Sequence, residues 1–378
     1  MKKQKHLLFL LDYYPPHRWW VENVFENIIT RLLQKGYEIS LITSRFDKDL
    51  SIEEQQKNFH LYRGWKGRFS FFFFSFFKGI EILKKHPDIE VIHASTYTSV
   101  IPASLLGKFF KKKKILTVHE MFGKLWNQFK PRYSALFYQW LEKILFLFSF
   151  DYYHCVSLYT LNTLRTLFGV EDSKLRLIYN GVDTDFRNPQ EIKELTSLQW
   201  REKYGWEDRF LMLYYGHSGK SKGIDYLIQA LPKILSTSPD SVFVFNLIPC
   251  KRDQEIKQKI LKIAKKIWCS DRVFIFSGRE KEQLRELVAC ANVVFAPSLA
   301  EGFGSVHSEV CAMGIPLITR RVAAIPEVVS GKVVFLEDDT PQGFLDAIEK
   351  VKNGDFEILP EKAFSREKTV EKIENLYE

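Results

Sequence analysis

The chain twice alternates short β-branched or apolar runs with amphipathic stretches, and this alternation limits its fold more than any other feature. In the first half, strands are expected at His6–Leu11, Glu38–Thr43, Val91–Ala94, Ile115–Val118, Tyr152–Val156 and Leu175–Tyr179. Helical patterns fall between them, as at Val21–Gln34 and Ala135–Phe148. In the second half the expected strands are Phe210–Tyr215, Val242–Leu247, Val273–Phe276, Val293–Ala296, Leu317–Thr319 and Val333–Leu336. Helices are expected at Asp225–Leu235, Lys281–Ala289 and Pro341–Lys352. Strand–helix alternation with short connections predicts parallel sheets covered on both faces. Because the run occurs twice, it predicts two Rossmann-like, doubly wound α/β domains. The polar stretch Asn188–Lys193, carrying Pro189, reads as the linker, so residues 1–190 form the first domain.

A length of 378 residues suits two cores, and 46% apolar with 27% charged residues is the composition of a globular chain. The five cysteines have no paired spacing, which predicts free thiols in a reducing compartment and excludes a zinc site. Lys2, Lys3 and Lys5 precede an apolar run, Leu7 to Leu11, but Asp12 and Pro15-Pro16 stop it short of a signal-peptide core. No segment reaches the ~18 apolar residues of a membrane span. The expected location is the cytoplasm, with the inner face of the membrane as a place of work.

Charge is unevenly placed. Residues 1–190 hold 28 Lys and Arg against 18 Asp and Glu, while the remainder hold 27 against 28. A basic first half implies contact with something anionic, such as a membrane surface or a phosphorylated acceptor. No nucleic-acid motif accompanies the charge, so nucleic acid is not an expected partner. The nearly all-aromatic block Phe69–Phe77, flanked by Arg63, Lys66, Arg68 and Lys78, reads either as a membrane-interface wedge or as a buried helix or loop. The Lys111–Lys114 run reads as a solvated loop.

Two segments carry chemistry. From Val293 to Glu309 a buried strand ends at Pro297, and a loop with Gly302 and Gly304 leads into a helix beginning near Ser305. Free N–H groups at a helix start bind anions, and glycines let backbone approach a ligand closely. Glu301 on the loop and Glu309 a turn inside the helix suit hydroxyl pairs of a sugar, at the sheet edge where open α/β folds bind ligands. The second segment, Gly216-His217-Ser-Gly-Lys220-Ser-Lys222-Gly223, opens the second domain with the same strand–loop–helix pattern. Lys222 at its helix start can meet a departing diphosphate. Its spacing is not that of a P-loop.

These residues resemble the family-four retaining glycosyltransferases of the GT-B fold, over nearly the whole chain. Glu301 and Glu309 match the Glu-x7-Glu motif, and Gly216 through Gly223 match the glycine-arginine…lysine-glycine motif. Thr117-Val118-His119-Glu120, Asn180-Gly181-Val182-Asp183, Ala324 to Val328 and the last helix, Ser365 to Tyr377, also fit. The resemblance implies an inter-domain cleft, an acceptor domain at 1–190, a donor domain at 191–362, and a segment 363–378 crossing back to the first domain. It implies that Glu309 holds the nucleotide ribose and that Glu301 sits near the sugar hydroxyls. Amides around Phe303, Gly304, Ser305 and Val306 would bind sugar and phosphate. Lys222 would neutralise the diphosphate, His119 would meet the sugar near the reacting carbon, and Arg279 would approach the base. The donor is a nucleotide-sugar, the acceptor a glycan or lipid-linked species, and no metal or other cofactor is required.

Two positions depart from the pattern. His217 stands where the family has arginine, giving up a permanent charge and a fork of donors. Trp19 and Trp20, in Pro15-Pro16-His17-Arg18-Trp19-Trp20-Val21-Glu22, stand where it has two glycines. Indoles adopt glycine conformations only at a cost and bring bulk to the loop. They can stack on an acceptor, or mark a nucleotide-sugar-binding relative with impaired turnover. A nucleotide-sugar epimerase of similar fold is the remaining alternative, and Glu-x7-Glu weighs against it.

Overall fold

The computed structural model describes residues 5–17, 20–65, 67–182, 195–248, 252–278 and 281–378. The chain divides into two compact units, Met1–Gly181 with Phe364–Glu378, and Val182–Ala363. The stretch expected as the linker, Asn188–Lys193, lies outside the described residues.

The sheet of the first unit contains β1 (His6–Leu10), β2 (Glu38–Ser44), β3 (Glu53–Gln56), β4 (Phe59–Gly64), β5 (Ile89–Ser95), β6 (Lys113–Val118), β7 (Tyr152–Cys155) and β8 (Leu175–Leu177). Their order is β3-β4-β2-β1-β5-β6-β7-β8. Helix α1 (Trp20–Gln34) buries Phe25, Ile28, Ile29 and Leu32 on one sheet face, the i, i+3, i+4, i+7 stripe of an amphipathic helix. Helices α2 (Arg68–Lys85), α3 (Val100–Phe110), α4 (Arg132–Leu145) and α5 (Leu158–Phe168) cover the other face.

The C-terminal helix, Arg366–Glu374, packs beside α1. A Cβ on Gly181 would lie 2.4 Å from Cα of Arg366, so only glycine permits this approach. Thr369 donates to the Tyr179 carbonyl at 2.8 Å. Tyr377 lies 2.8 Å from Nδ1 of His93, whose Nε2 lies 2.7 Å from Thr117 Oγ1; Thr117 in turn meets His154 at 3.0 Å. A buried polar chain thus ties the terminal segment across β5, β6 and β7.

The second unit holds β9 (Phe210–His217), β10 (Ser241–Ile248), β11 (Val273–Ser277), β12 (Val293–Ala296), β13 (Leu317–Thr319), β14 (Gly331–Phe335) and β15 (Glu357–Leu359), in the order β11-β10-β9-β12-β13-β14-β15. Helices α6 (Leu195–Tyr204), α7 (Ile224–Thr237), α8 (Asp253–Lys266), α9 (Lys281–Cys290), α10 (Ser305–Ala312) and α11 (Pro341–Lys352) flank it. Helix α7 buries Leu227, Ile228, Leu231, Ile234 and Leu235.

Two sequence expectations are corrected. Neither sheet is wholly parallel: β3 and β15 add antiparallel edges. β3 reads Glu-Glu-Gln-Gln, an exposed polar edge without apolar alternation, which is how natural sheets blunt an edge. The Lys111–Lys114 run is not a loop. Lys111 caps α3 in a left-handed conformation, and Lys113 and Lys114 begin β6. The aromatic block is neither wholly buried nor wholly exposed: as part of α2 it buries Phe71 and presents Phe69, Phe73 and Phe77 to solvent. The described cysteines are free thiols. No helix among the described residues is long and apolar enough to cross a membrane.

Candidate functional site

In the second sheet the strand order reverses between β9 and β12, because connections leave β9 in one direction and reach β12 in the other. Such a switch point opens a crevice beyond the carboxyl ends of the two strands. The two glycine loops read from sequence are those that follow β9 and β12.

The loops are fastened to each other through backbone. Leu299 N–H donates to the Ser221 carbonyl at 2.7 Å. Gly223, at φ +69°, passes so close to Pro297 that a Cβ would stand 1.9 Å from its carbonyl oxygen. Gly216 has φ +135° and Gly304, which caps α10, has φ +94°. Both conformations favour glycine.

Lys222 sits in a 3₁₀ turn before α7, and its Nζ lies 2.9 Å from each oxygen of Glu301. Ser298 donates to the same carboxylate at 2.7 Å. Burial opposes charge on Glu301, but the Lys222 ammonium and these donors outweigh it and hold the carboxyl below its ordinary range. Sequence reading gave Lys222 and Glu301 separate tasks; the structure joins them. Glu309 is anchored independently: Tyr215, fully buried at the end of β9, donates to it at 3.0 Å. Burial and the Glu309 carboxylate hold the Tyr215 phenol well above its usual value, so it remains a donor.

Gly302 and Phe303 are buried in the loop, while Ser305 and Val306 are half-buried at the α10 start. A hypothetical Cβ on Gly216 would be 3.9 Å from Val306, which places the β9 terminus against that start. His217 ends β9, and its carbonyl accepts from Tyr214 at 2.7 Å. Arg279 lies outside the described residues.

Sequence reading missed three second-unit residues at the site. Tyr215 is one. His307 is buried beneath the loop: its Nε2 donates to the Ala296 carbonyl at 3.1 Å and lies 2.9 Å from Thr319 Oγ1. Burial lowers its pKa, so it is a neutral pin between α10, β12 and β13. Arg252 donates to the Ser218 carbonyl at 2.8 Å and pairs with Asp225 at 2.5 Å, bringing a guanidinium to the loop where His217 lacks one. Nothing local in the sequence marks these residues, because their partners are distant along the chain.

In the first unit, His119 follows β6 and is buried, edge-on to Phe25 at 5.4 Å. Burial, with His154 nearby, takes its pKa down to about 3, so it is neutral near pH 7. The loop after it is gripped by Glu142 on α4. That carboxylate accepts from Phe122 N, Gly123 N, Trp126 Nε1 and Tyr97 OH at 2.9–3.2 Å. Glu142→Ala strands these donors and is expected to cost about 3 kcal/mol or more, read as a lower urea midpoint. His17 lies 3.2 Å from Glu22 of α1 and stacks on Tyr13. Trp19 lies outside the described residues; Trp20 is the first residue of α1, and its side chain lies outside them too.

Among the described residues, His6, His86 and Asp88 form a group able to hold a metal ion. It lies where β1 and β5 begin, at the opposite end of these strands from His119. Its buried member is already bonded, His6 Nδ1 to Asp88 at 3.2 Å and Nε2 to Ser40 at 3.0 Å.

Two units of mainly parallel sheet, with a charged pair and a glycine-capped helix start at the switch point of the second sheet, define a GT-B glycosyltransferase. Comparison with known families agrees: a model described as Glycosyltransferase Family 4 matches residues 21–186, and one described as Glycosyl transferases group 1 matches residues 197–369. The chain belongs to the family-four glycosyltransferases.

It is 20% identical over 393 residues to the phosphatidylinositol N-acetylglucosaminyltransferase GPI3 subunit of Saccharomyces cerevisiae, covering 99% of this chain and 80% of that protein. It spans 42% and 66% of the length of two further curated relatives. Among solved structures, the catalytic domain of starch synthase IV from Arabidopsis thaliana, bound to ADP and acarbose, superposes with TM-score 0.72 at 16% identity, covering 99% of both chains. Anabaena HepE in complex with UDP-glucose gives 0.69 at 14% identity, covering 98% of this chain and 93% of that one. At these identities the likeness concerns the fold.

Proposed function

We propose that this protein transfers a hexose from a nucleoside-diphosphate sugar to a glycan or lipid-linked acceptor, with retention of configuration, without a metal, and in peripheral contact with anionic membrane. The observation that carries the reading is the Lys222–Glu301 pair, held by two backbone-locked glycine loops three residues before the α10 cap. The solved relatives hold ADP and UDP-glucose, which supports a nucleotide-sugar as donor. The yeast relative is named for transfer to phosphatidylinositol, which supports a lipid-linked acceptor.

In this reading the α10 amides of Ser305 and Val306 and the Lys222 ammonium receive the diphosphate, and Glu309 receives the ribose. Glu301 orients Lys222 and meets hydroxyls of the sugar. The acceptor oxygen bonds to the anomeric carbon on the face the phosphate leaves. The carbon–phosphate oxygen bond breaks, and the acceptor proton passes to the departing phosphate. Charge accumulates on the diphosphate as that bond breaks, so groups aimed there stabilise the transition state more than the ground state. His119, neutral through burial, acts toward a sugar as a hydrogen-bonding group and not as a cation.

Titration calorimetry with a panel of nucleotide-sugars, joined to a radiolabelled transfer assay, tests the proposal. Binding with transfer is expected. Isomerised sugar without transfer indicates an epimerase, and binding without turnover indicates an impaired relative; either result would overturn it.

A further inference from the structure

The first unit has two helical layers with unlike outer surfaces. The layer of α1 and the C-terminal helix exposes no large hydrophobic side chain among the described residues, and it carries the pairs Arg31–Glu367 and Lys35–Glu374. The opposite layer exposes many. On α2, Phe69, Phe73 and Phe77 recur every fourth residue and are 87%, 57% and 64% exposed. They line one side of the helix over about 12 Å. Phe109 of α3 extends the patch, since Phe76 touches both Phe77 and Phe109. Helix α4 repeats the arrangement with exposed Tyr133, Phe137 and Trp140, while its buried side holds Ala135, Glu142 and Leu145.

The segment that builds α2 and α3 is basic. Residues 63–114 hold eleven Lys and Arg against three Asp and Glu, an excess of eight in a chain whose total is +9. Its basic groups divide by role. Arg63 is buried against Ser51, and Lys78 is paired with Glu53 and Glu81, so neither is available to a partner in the manner first read from sequence. Lys84, Lys85, Lys108 and Lys111 stand exposed at the ends of α2 and α3.

We infer that the outer surface of the α2–α3–α4 layer docks on an anionic lipid bilayer, its aromatic rings entering the interface and its lysines meeting the headgroups. A row of exposed aromatic rings rimmed by lysine is the composition of an interfacial helix. Each basic side chain near an anionic leaflet adds attraction that salt weakens. The inference deepens the proposed function by naming the surface that reaches the membrane, and it rests on that reading only for the purpose of the contact.

The full-length chain is sedimented with phosphatidylcholine vesicles, with and without phosphatidylglycerol, in the absence of nucleotide-sugar. Binding is expected to require phosphatidylglycerol and to weaken with salt. The triple substitution Phe69→Ser, Phe73→Ser, Phe77→Ser is expected to reduce it tenfold or more, as is Lys84→Glu with Lys85→Glu, with thermal melting unchanged because these side chains are exposed. Absence of binding, or binding that survives both sets, overturns the inference. So does a concentration-dependent dimer abolished by the same phenylalanine substitutions, which would make the surface a contact between copies. Because no donor is present, failure of the transferase reading leaves this assay untouched, and failure here leaves donor binding untouched.

Discussion

Lys222→Ala is expected to slow glycosyl transfer by about a hundred- to a thousandfold, the usual loss when one preorganised charge donor is removed from a transition state. The effect should fall mainly on kcat, because the ammonium is needed most when the diphosphate departs. Removal also leaves the buried Glu301 carboxylate without its cation, with Ser298 still donating to it. The folded protein should therefore lose stability as well, by less than the 3–5 kcal/mol typical of a fully buried broken pair, since Lys222 keeps some contact with water. Glu301→Gln should restore part of that stability in the double variant and none of the rate. Steady-state kinetics and urea titration on both single variants and the double separate the two effects. If Lys222→Ala turned over like the parent, the ammonium would not face the leaving group.

The second large effect concerns acid. His93, His119 and His154 are fully buried, and burial lowers all three pKa values, to about 3 for His119 and about 4 for His154. In the unfolded chain each titrates near the ordinary value of about 6.5. The folded pKa is the lower one, so below about pH 6.5 the unfolded chain binds more protons and stability falls with pH. Each histidine contributes a slope of about 1.4 kcal/mol per pH unit, about 4 for the three, until the folded values are reached. Glu301, held below its ordinary range, acts in the same direction once pH nears that of carboxylates. Glu142, pushed up by burial, opposes it as a single group. The urea midpoint is expected to be level near neutral pH and to drop steeply from about pH 6.5 to about pH 5. A flat profile there would mean that these histidines are protonated in the fold.

What the sequence made legible follows from how local each signal is. Buried strands such as β12, four apolar residues ended by Pro297, declare themselves within their own length. So do the glycine loops, because a positive φ or a close backbone approach demands glycine where it occurs, at Gly216, Gly223 and Gly304. The edge strands β3 and β15 were not legible: β3 is Glu-Glu-Gln-Gln without apolar alternation, and β15, Glu357-Ile358-Leu359, is too short to show a period. Nor were pairings across the chain. Lys222 meets Glu301 across 79 positions, and Tyr215 meets Glu309 across 94. In sequence Glu142 is one carboxylate within the Ala135–Phe148 helical pattern, and only the fold brings Tyr97, Phe122, Gly123 and Trp126 around it. Flanking charge misled at α2, where Arg63 and Lys78 serve the protein's own carboxylates and carbonyls.

The most direct test of the account is a crystal structure of the chain soaked with UDP-glucose. The diphosphate is predicted against the amides of Ser305 and Val306, with Lys222 Nζ within hydrogen-bonding reach and Glu309 on the ribose. A nucleotide bound elsewhere, or Glu301 and Glu309 turned toward different cavities, would contradict it.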